Sequence, residues 1–177
     1  MKVGVGDVRA QRRRRRARYA GCRVCGGPGA AGVECASCFA ISGRLLAASP
    51  RENLLLVVDG SYAPGTVHGG AGLVVVDWSG LIVGACGCTF RAQNSSEAEF
   101  QAIVRAARWL PGVKILTDCE TAVARAVAAS NLGCEVEFLP HERGLGRGRA
   151  HQLAHRLANE ARLGTHTVYE VPHLAVP

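Results

Sequence analysis

The sequence predicts an α/β domain over residues 53–165, with a mixed five-stranded sheet flanked by helices in the order β-β-β-α-β-α-β-α. Three observations predict this class. Three strand-like apolar runs follow one another directly, and later strand-like runs alternate with helical patterns. The segment of about 110 residues is also long enough to bury a core of its own.

The first three strands are joined by short turns. Residues 54–58 (LLLVV) form a continuous apolar run that is typical of a strand buried on both faces and that ends at Asp59. Residues 72–78 (GLVVVDW) and 81–90 (LIVGACGCTF) predict two further strands. The Ser-Gly pair at 79–80 predicts a hairpin between them.

The remaining elements alternate between helix and strand. Apolar residues recur every three or four positions from Asn94 to Leu110, which predicts a helix that Pro111 and Gly112 end. The patterns that follow predict a strand at 113–117, a helix at 122–129, a strand at 134–139 and a last helix at 147–163.

The first 20 residues carry all of the excess positive charge. They contain eight basic residues and one acidic residue, so their net charge equals the +7 of the whole 177-residue chain. We expect a disordered basic arm that binds polyanions such as nucleic acid. The alternatives are a solvated tail or a localisation signal. The arm lacks the apolar segment of a secretory signal, and no apolar run is long enough for a membrane span. We therefore expect a cytoplasmic protein with no membrane partner.

Two Cys-x-x-C pairs follow the arm and predict a small metal-binding module at residues 21–40. Cys22 and Cys25 form one pair, and Cys35 and Cys38 form the other. Two such pairs supply the four thiolates of a structural zinc site, and the module resembles a short zinc ribbon or knuckle. Disulfides and an iron–sulfur site are the alternatives. Residues 41–52 are interpreted as a linker or a brief helix, and residues 166–177 as a tail.

Three acidic residues stand at positions where carboxylates can hold cations. Asp59 and Asp118 each end a predicted strand, and Glu99 lies near the start of the helix after the hairpin. If the two strands are neighbours, the aspartates meet, and Mg²⁺ or Mn²⁺ would neutralise their repulsion. A structural alternative for Glu99 is a capping box, for which Ser96 to Glu99 and Asn94 to Glu97 both have the spacing.

These strings together resemble ribonuclease H type I over residues 53–163. The matching strings are LLLVVDGSY, SSEAEFQAIVRAARWL and KILTDCE, in the family's order. The resemblance implies that Asp59 is shared by two metal ions and that Glu99 and Asp118 are further ligands. The family's fourth ligand is an aspartate in the string Ala-Asp-x-Leu-Ala, where this chain has His151. His141, ten residues earlier, takes the place of a loop histidine that assists product release.

The resemblance implies an endonuclease that cuts the RNA strand of RNA/DNA hybrids with two Mg²⁺ or Mn²⁺ ions. An imidazole in place of a carboxylate favours Mn²⁺. The implied contacts to the substrate are Gly60, Ser61, Asn94, Ser95, Arg147 and Arg149. A nuclease of the same superfamily that acts on structured DNA or duplex RNA is one alternative. A zinc-bearing nucleic-acid-binding protein with a weak or inactive core is another. A monomer is expected.

Overall fold

A computed structural model describes residues 22, 24, 35–140, 145–164 and 168–170. The helices are α1 (Ala36–Ala48), α2 (Ser95–Trp109), α3 (Glu120–Ala129) and α4 (Leu145–Arg162), and a 3-10 turn spans Arg51–Asn53. The strands are β1 (Leu54–Tyr62), β2 (His68–Asp77), β3 (Ile82–Arg91), β4 (Lys114–Thr117), β5 (Val136–Phe138) and β6 (Val168–Glu170). None of the helices in these residues is long and apolar enough to cross a membrane.

The strands form one mixed sheet in the order β5-β4-β1-β2-β3-β6. The hairpin-linked strands β1, β2 and β3 pair antiparallel, whereas β4 runs parallel to β1 and β5 parallel to β4. The five strands that the sequence predicts are therefore confirmed, in the predicted order along the chain. The structure adds β6, which pairs antiparallel with β3 and lies in the segment interpreted as a tail.

Helices cover both faces of the sheet because the buried strand residues alternate between two cores. Leu56 and Val58 belong to the core that contains α2 and α3, whereas Val57 belongs to the core that contains α4. The first strand runs to Tyr62, past the end expected from its apolar run. The reason is that residues 59–62 keep pairing with β2 after the parallel pairing with β4 has ended.

Helix α4 lies unusually close to β2 because two glycines of that strand face it. A Cβ on Gly72 would lie 1.9 Å from the carbonyl oxygen of Ala154, and a Cβ on Gly70 would lie 2.1 Å from that of Ala158. Both contacts are far inside van der Waals distance, so only glycine permits them. The buried residues of α4 are mostly small, which also allows the helix backbone to contact the strand backbone.

Candidate active site

The two aspartates meet because β1 and β4 are parallel neighbours. The last parallel pair joins Val57 to Leu116, and Asp59 and Asp118 each stand two residues further along their own chains. Side chains alternate along β1, so Asp59 points to the same face as Val57, towards α4. Asp59 is 4% exposed and is the single charged residue among the buried residues that the structure describes.

Glu99 reaches the same place from α2, on the opposite face of the sheet. Its Oε2 accepts a hydrogen bond of 2.9 Å from the backbone N–H of Gly60. Gly60 is required there, because a Cβ would lie 2.5 Å from the backbone of Ala98 and Glu99. The helix cap is built by other residues: Asn94 accepts the N–H of Glu97, whose carboxylate accepts the N–H of Gln93. Glu99 therefore has no part in capping its helix.

His151 completes the group from α4. Its Nε2 lies 3.0 Å from Oδ2 of Asp118 and 3.9 Å from Oδ1 of Asp59. One potential ligand atom from each of these three residues lies within 4.8 Å of the other two. An open cleft of about 490 Å³ surrounds them, and its lining residues are Asp59, Gly60, Glu99, Asp118, His151, Gln152 and His155.

The electrostatics of the cleft favour a bound cation. Burial raises the pKa of Glu99 to about 8, and the nearby carboxylates of Asp59 and Asp118 add to this effect. Burial also raises the pKa of Asp59; the His155 imidazole opposes that shift and Asp118 reinforces it. The hydrogen bond to Asp118 raises the pKa of His151. Three carboxylates that close together repel one another unless positive charge lies between them.

Solved structures share this architecture. RNase H1 from the halophilic archaeon Halobacterium salinarum is 18% identical, and the match covers 63% of this chain and 98% of that chain with a TM-score of 0.49. The foamy viral protease-reverse transcriptase, solved with dsDNA, is 16% identical over 64% of this chain and 96% of that chain, with a TM-score of 0.52. This chain has a ribonuclease H-like fold. Neither the family models nor the curated proteins give a match to the sequence.

The donor set of this ribonuclease H-like domain fits a divalent metal ion. Two carboxylates and an imidazole converge, and Asp59 is almost wholly buried with no cationic lysine or arginine among the cleft's lining residues. Carboxylate oxygens suit Mg²⁺ and Mn²⁺, and an imidazole nitrogen suits Mn²⁺ and later transition metals better than Mg²⁺. Asp59, Asp118 and His151 are therefore the residues placed to hold an ion, and Glu99 borders the same cleft.

His155 is a cleft residue that the sequence analysis missed. Its Nδ1 lies 3.3 Å from Oδ2 of Asp59, whereas His151 faces Oδ1 of the same carboxylate. Its side chain is 64% exposed and borders the cleft. The available signal was its spacing of four residues from His151, which places both imidazoles on one face of a helix.

The predicted substrate contacts occupy varied environments. The hydroxyl of Ser61 donates to Oδ1 of Asn159 at 2.9 Å, and the side chain of Asn94 caps α2. Ser95 and Arg149 are exposed. Arg147 lies in α4, but its side chain is outside the described part of the structure, as is the whole of His141.

The structure also brings three of the four predicted zinc ligands together. Cys22, Cys35 and Cys38 each place a sulfur within 4.8 Å of the other two. Cys25, the predicted fourth ligand, lies outside the described residues. Among the cysteines that the structure describes, none forms a disulfide.

Proposed function

We propose that the protein is a metal-dependent endonuclease that hydrolyses the RNA strand of RNA/DNA hybrids. The observation that carries the proposal is the convergence of Asp59, Asp118 and His151 to within 4.8 Å in a cleft that Glu99 also lines. These side chains come from β1, from the residue that follows β4 and from two helices of a ribonuclease H-like fold, and all except His151 lie in the strings that resemble the ribonuclease H motifs.

The ligand residues have distinct tasks in this proposal. Asp59 directs one carboxylate oxygen towards His151 and the other towards His155, which supports the proposal that two ions share this residue. The backbone N–H of Gly60 fixes the orientation of Glu99, and the Nε2 of His151 faces the carboxylates of Asp59 and Asp118, with which it would share an ion. When bound, two divalent ions supply an activated water and neutralise charge on the leaving oxygen of a phosphodiester.

The proposed metal complement is two Mn²⁺ or Mg²⁺ ions in the cleft and one zinc ion at the cysteines. We expect a preference for Mn²⁺ in the cleft, because His151 contributes a nitrogen where a carboxylate would contribute a negatively charged oxygen. The histidine also lowers the negative charge of the site by one unit, which weakens the binding of any divalent cation.

The basic arm is proposed to add non-specific affinity for the nucleic acid. Neutralising phosphates releases counterions, so deletion of residues 1–20 should raise KM and flatten the dependence of KM on salt. The deletion must stop before Cys22, since Cys22 and Val24 are buried in the core. Unchanged salt dependence after this deletion would contradict a role for the arm.

The decisive test compares four labelled substrates, each with Mg²⁺ and with Mn²⁺: RNA/DNA hybrid, RNA duplex, DNA duplex and a DNA junction. We expect cleavage of the hybrid alone, faster with Mn²⁺, and loss of cleavage in Asp59→Asn and Glu99→Gln. Glu97→Gln is the matched control, because it changes a carboxylate of the same helix that caps α2 outside the cleft. If a different one of the four is cleaved instead, that nucleic acid becomes the proposed substrate in place of the hybrid. Binding without cleavage in either metal would refute the enzymatic proposal.

A further inference from the structure

Two of the three described cysteines of the N-terminal cluster are buried, the third is partly buried, and backbone hydrogen bonds hold the cluster. Cys22 is 2% exposed, and Cys38, in the first turn of α1, is fully buried. The Cys22 sulfur accepts hydrogen bonds from the backbone N–H of Cys35 at 3.1 Å and of Val24 at 3.4 Å. These bonds hold Cys22 beside Cys35, and the sulfur atoms of Cys22, Cys35 and Cys38 converge.

This cluster is attached to the nuclease-like domain through helix α2. Arg105 donates a hydrogen bond of 2.7 Å to the carbonyl oxygen of Val24, and its guanidinium lies 5.1 Å from the ring centre of Phe90. The indole N–H of Trp109 donates to the carbonyl oxygen of Cys38 at 3.3 Å. Both donors lie on the helix that carries Glu99, about two and about three turns further along.

Apolar packing joins the same parts of the chain. Cys22, Val24 and Cys38 belong to the hydrophobic core that also contains α2 and the first three strands. Ile41 and Leu45 of α1 are buried as well, and Leu45 packs over Gly84 of β3. Most of the segment interpreted as a linker or a brief helix therefore belongs to α1, which packs between the cysteines and the sheet.

We infer that Cys22, Cys35 and Cys38 are ligands of a structural zinc ion that fastens the N-terminal segment onto α2, so that the metal stabilises the nuclease-like domain itself. Convergent thiolates select Zn²⁺ over harder ions, and none of the described cysteines forms a disulfide. A segment of about 20 residues has too little core to fold unaided, so metal binding supplies its folding free energy. Because Cys22, Val24 and Cys38 share a core with the sheet, the free energy of zinc binding also stabilises the folded domain.

The first experiment measures zinc content and thermal stability, so it is independent of nuclease activity. We expect one zinc per chain in the full-length protein, and the same content in Asp59→Asn, which excludes zinc held by the cleft. Removal of zinc by a chelator should lower the melting temperature of a single cooperative transition by roughly 10 °C or more, and added zinc should restore it. Absence of zinc, or a melting temperature unchanged by chelation, would overturn the inference.

Substitutions then identify the ligands. Cys22→Ser and Cys38→Ser should lose zinc and melt near the temperature of the chelated protein. Cys134→Ser is the control, because it removes a half-buried thiol that lies outside the cluster. If the ligand variants fail to fold, the chelation experiment on the unmodified protein still decides the matter. Retention of one zinc by both ligand variants would count against these ligands.

The attachment to α2 needs a separate measurement. Arg105→Ala should weaken zinc binding and lower the melting temperature of the zinc-loaded protein, whereas Arg108→Ala, at an exposed position of the same helix, should change neither. Amide hydrogen exchange should speed up along the second half of α2 when zinc is removed. If chelation accelerates exchange only in the N-terminal segment and leaves α2 unchanged, the cysteines form an independent module and the inference fails.

Discussion

Replacing Gly72 with alanine tests how closely α4 must approach the sheet for the cleft to form. The added Cβ would lie 1.9 Å from the carbonyl oxygen of Ala154, whereas ordinary contacts begin at 3.4 Å. Helix α4 must therefore retreat by about 1.5 Å, since the clash involves backbone that no change of rotamer relieves. Gly72 pairs with Asp59, and His151 is less than one turn from Ala154, so the displacement falls on the cleft.

The expected effects follow from that displacement. Overpacking of this kind costs about 1–3 kcal/mol, which for a chain of this length lowers the melting temperature by roughly 2–12 °C. A misplacement of about 1 Å in a catalytic group can reduce turnover by about 100-fold. We therefore expect Gly72→Ala to remain folded, to bind Mn²⁺ more weakly and to lose most of its activity on the hybrid.

The assay combines thermal denaturation, calorimetric titration with Mn²⁺ and single-turnover cleavage. Gly43→Ala is the control: this glycine lies in α1, and a Cβ there meets nothing within 4 Å. A methyl group in open space within a helix should stabilise slightly, because alanine has the higher helix propensity. If Gly72→Ala matches the control in stability and in Mn²⁺ affinity, the close approach of α4 does not determine the site.

Three further predictions concern individual ligands. His151→Asp should shift the cleft towards Mg²⁺, with the Mn²⁺-to-Mg²⁺ affinity ratio falling about tenfold or more by calorimetry, and an unchanged ratio would show that the imidazole does not contact the ion. His155→Ala should weaken Mn²⁺ binding about tenfold, because the ring faces the second carboxylate oxygen of Asp59. An Mn²⁺ affinity equal to that of the unmodified protein would show that His155 has no part in the metal site. Cys25→Ser should reduce zinc affinity as strongly as Cys22→Ser, and full retention of zinc would remove Cys25 from the predicted ligands.

Local patterns predicted most of the fold. Strand positions followed from apolar runs, and the helix at α2 from its repeat of three and four residues, since these features depend on neighbours along the chain. The positions of Asp59 and Asp118 could be predicted to converge because parallel neighbouring strands bring equivalent ends together. Glu99 could be separated from Glu97 only through the family motif; the structure then shows Glu97 in the cap and Glu99 in the cleft.

Other features depend on contacts between distant segments. The edge strand β6 is three residues long and carries too short a pattern to recognise, yet it pairs with β3. The position of His155 beside Asp59 depends on the distance between α4 and β1, and two glycines of β2 determine that distance. The attachment of the cysteine segment to α2 depends on Arg105 and Trp109, more than 65 residues away along the chain.

The amino-acid order alone thus determined the sequence of elements, the acidic residues and the thiol pairs, because backbone preference and hydrophobic periodicity act over a few residues. Tertiary packing decided which of these groups meet, how far apart they lie and how deeply they are buried. The physical reason is that burial and electrostatic coupling arise only where separate segments exclude water from the same space.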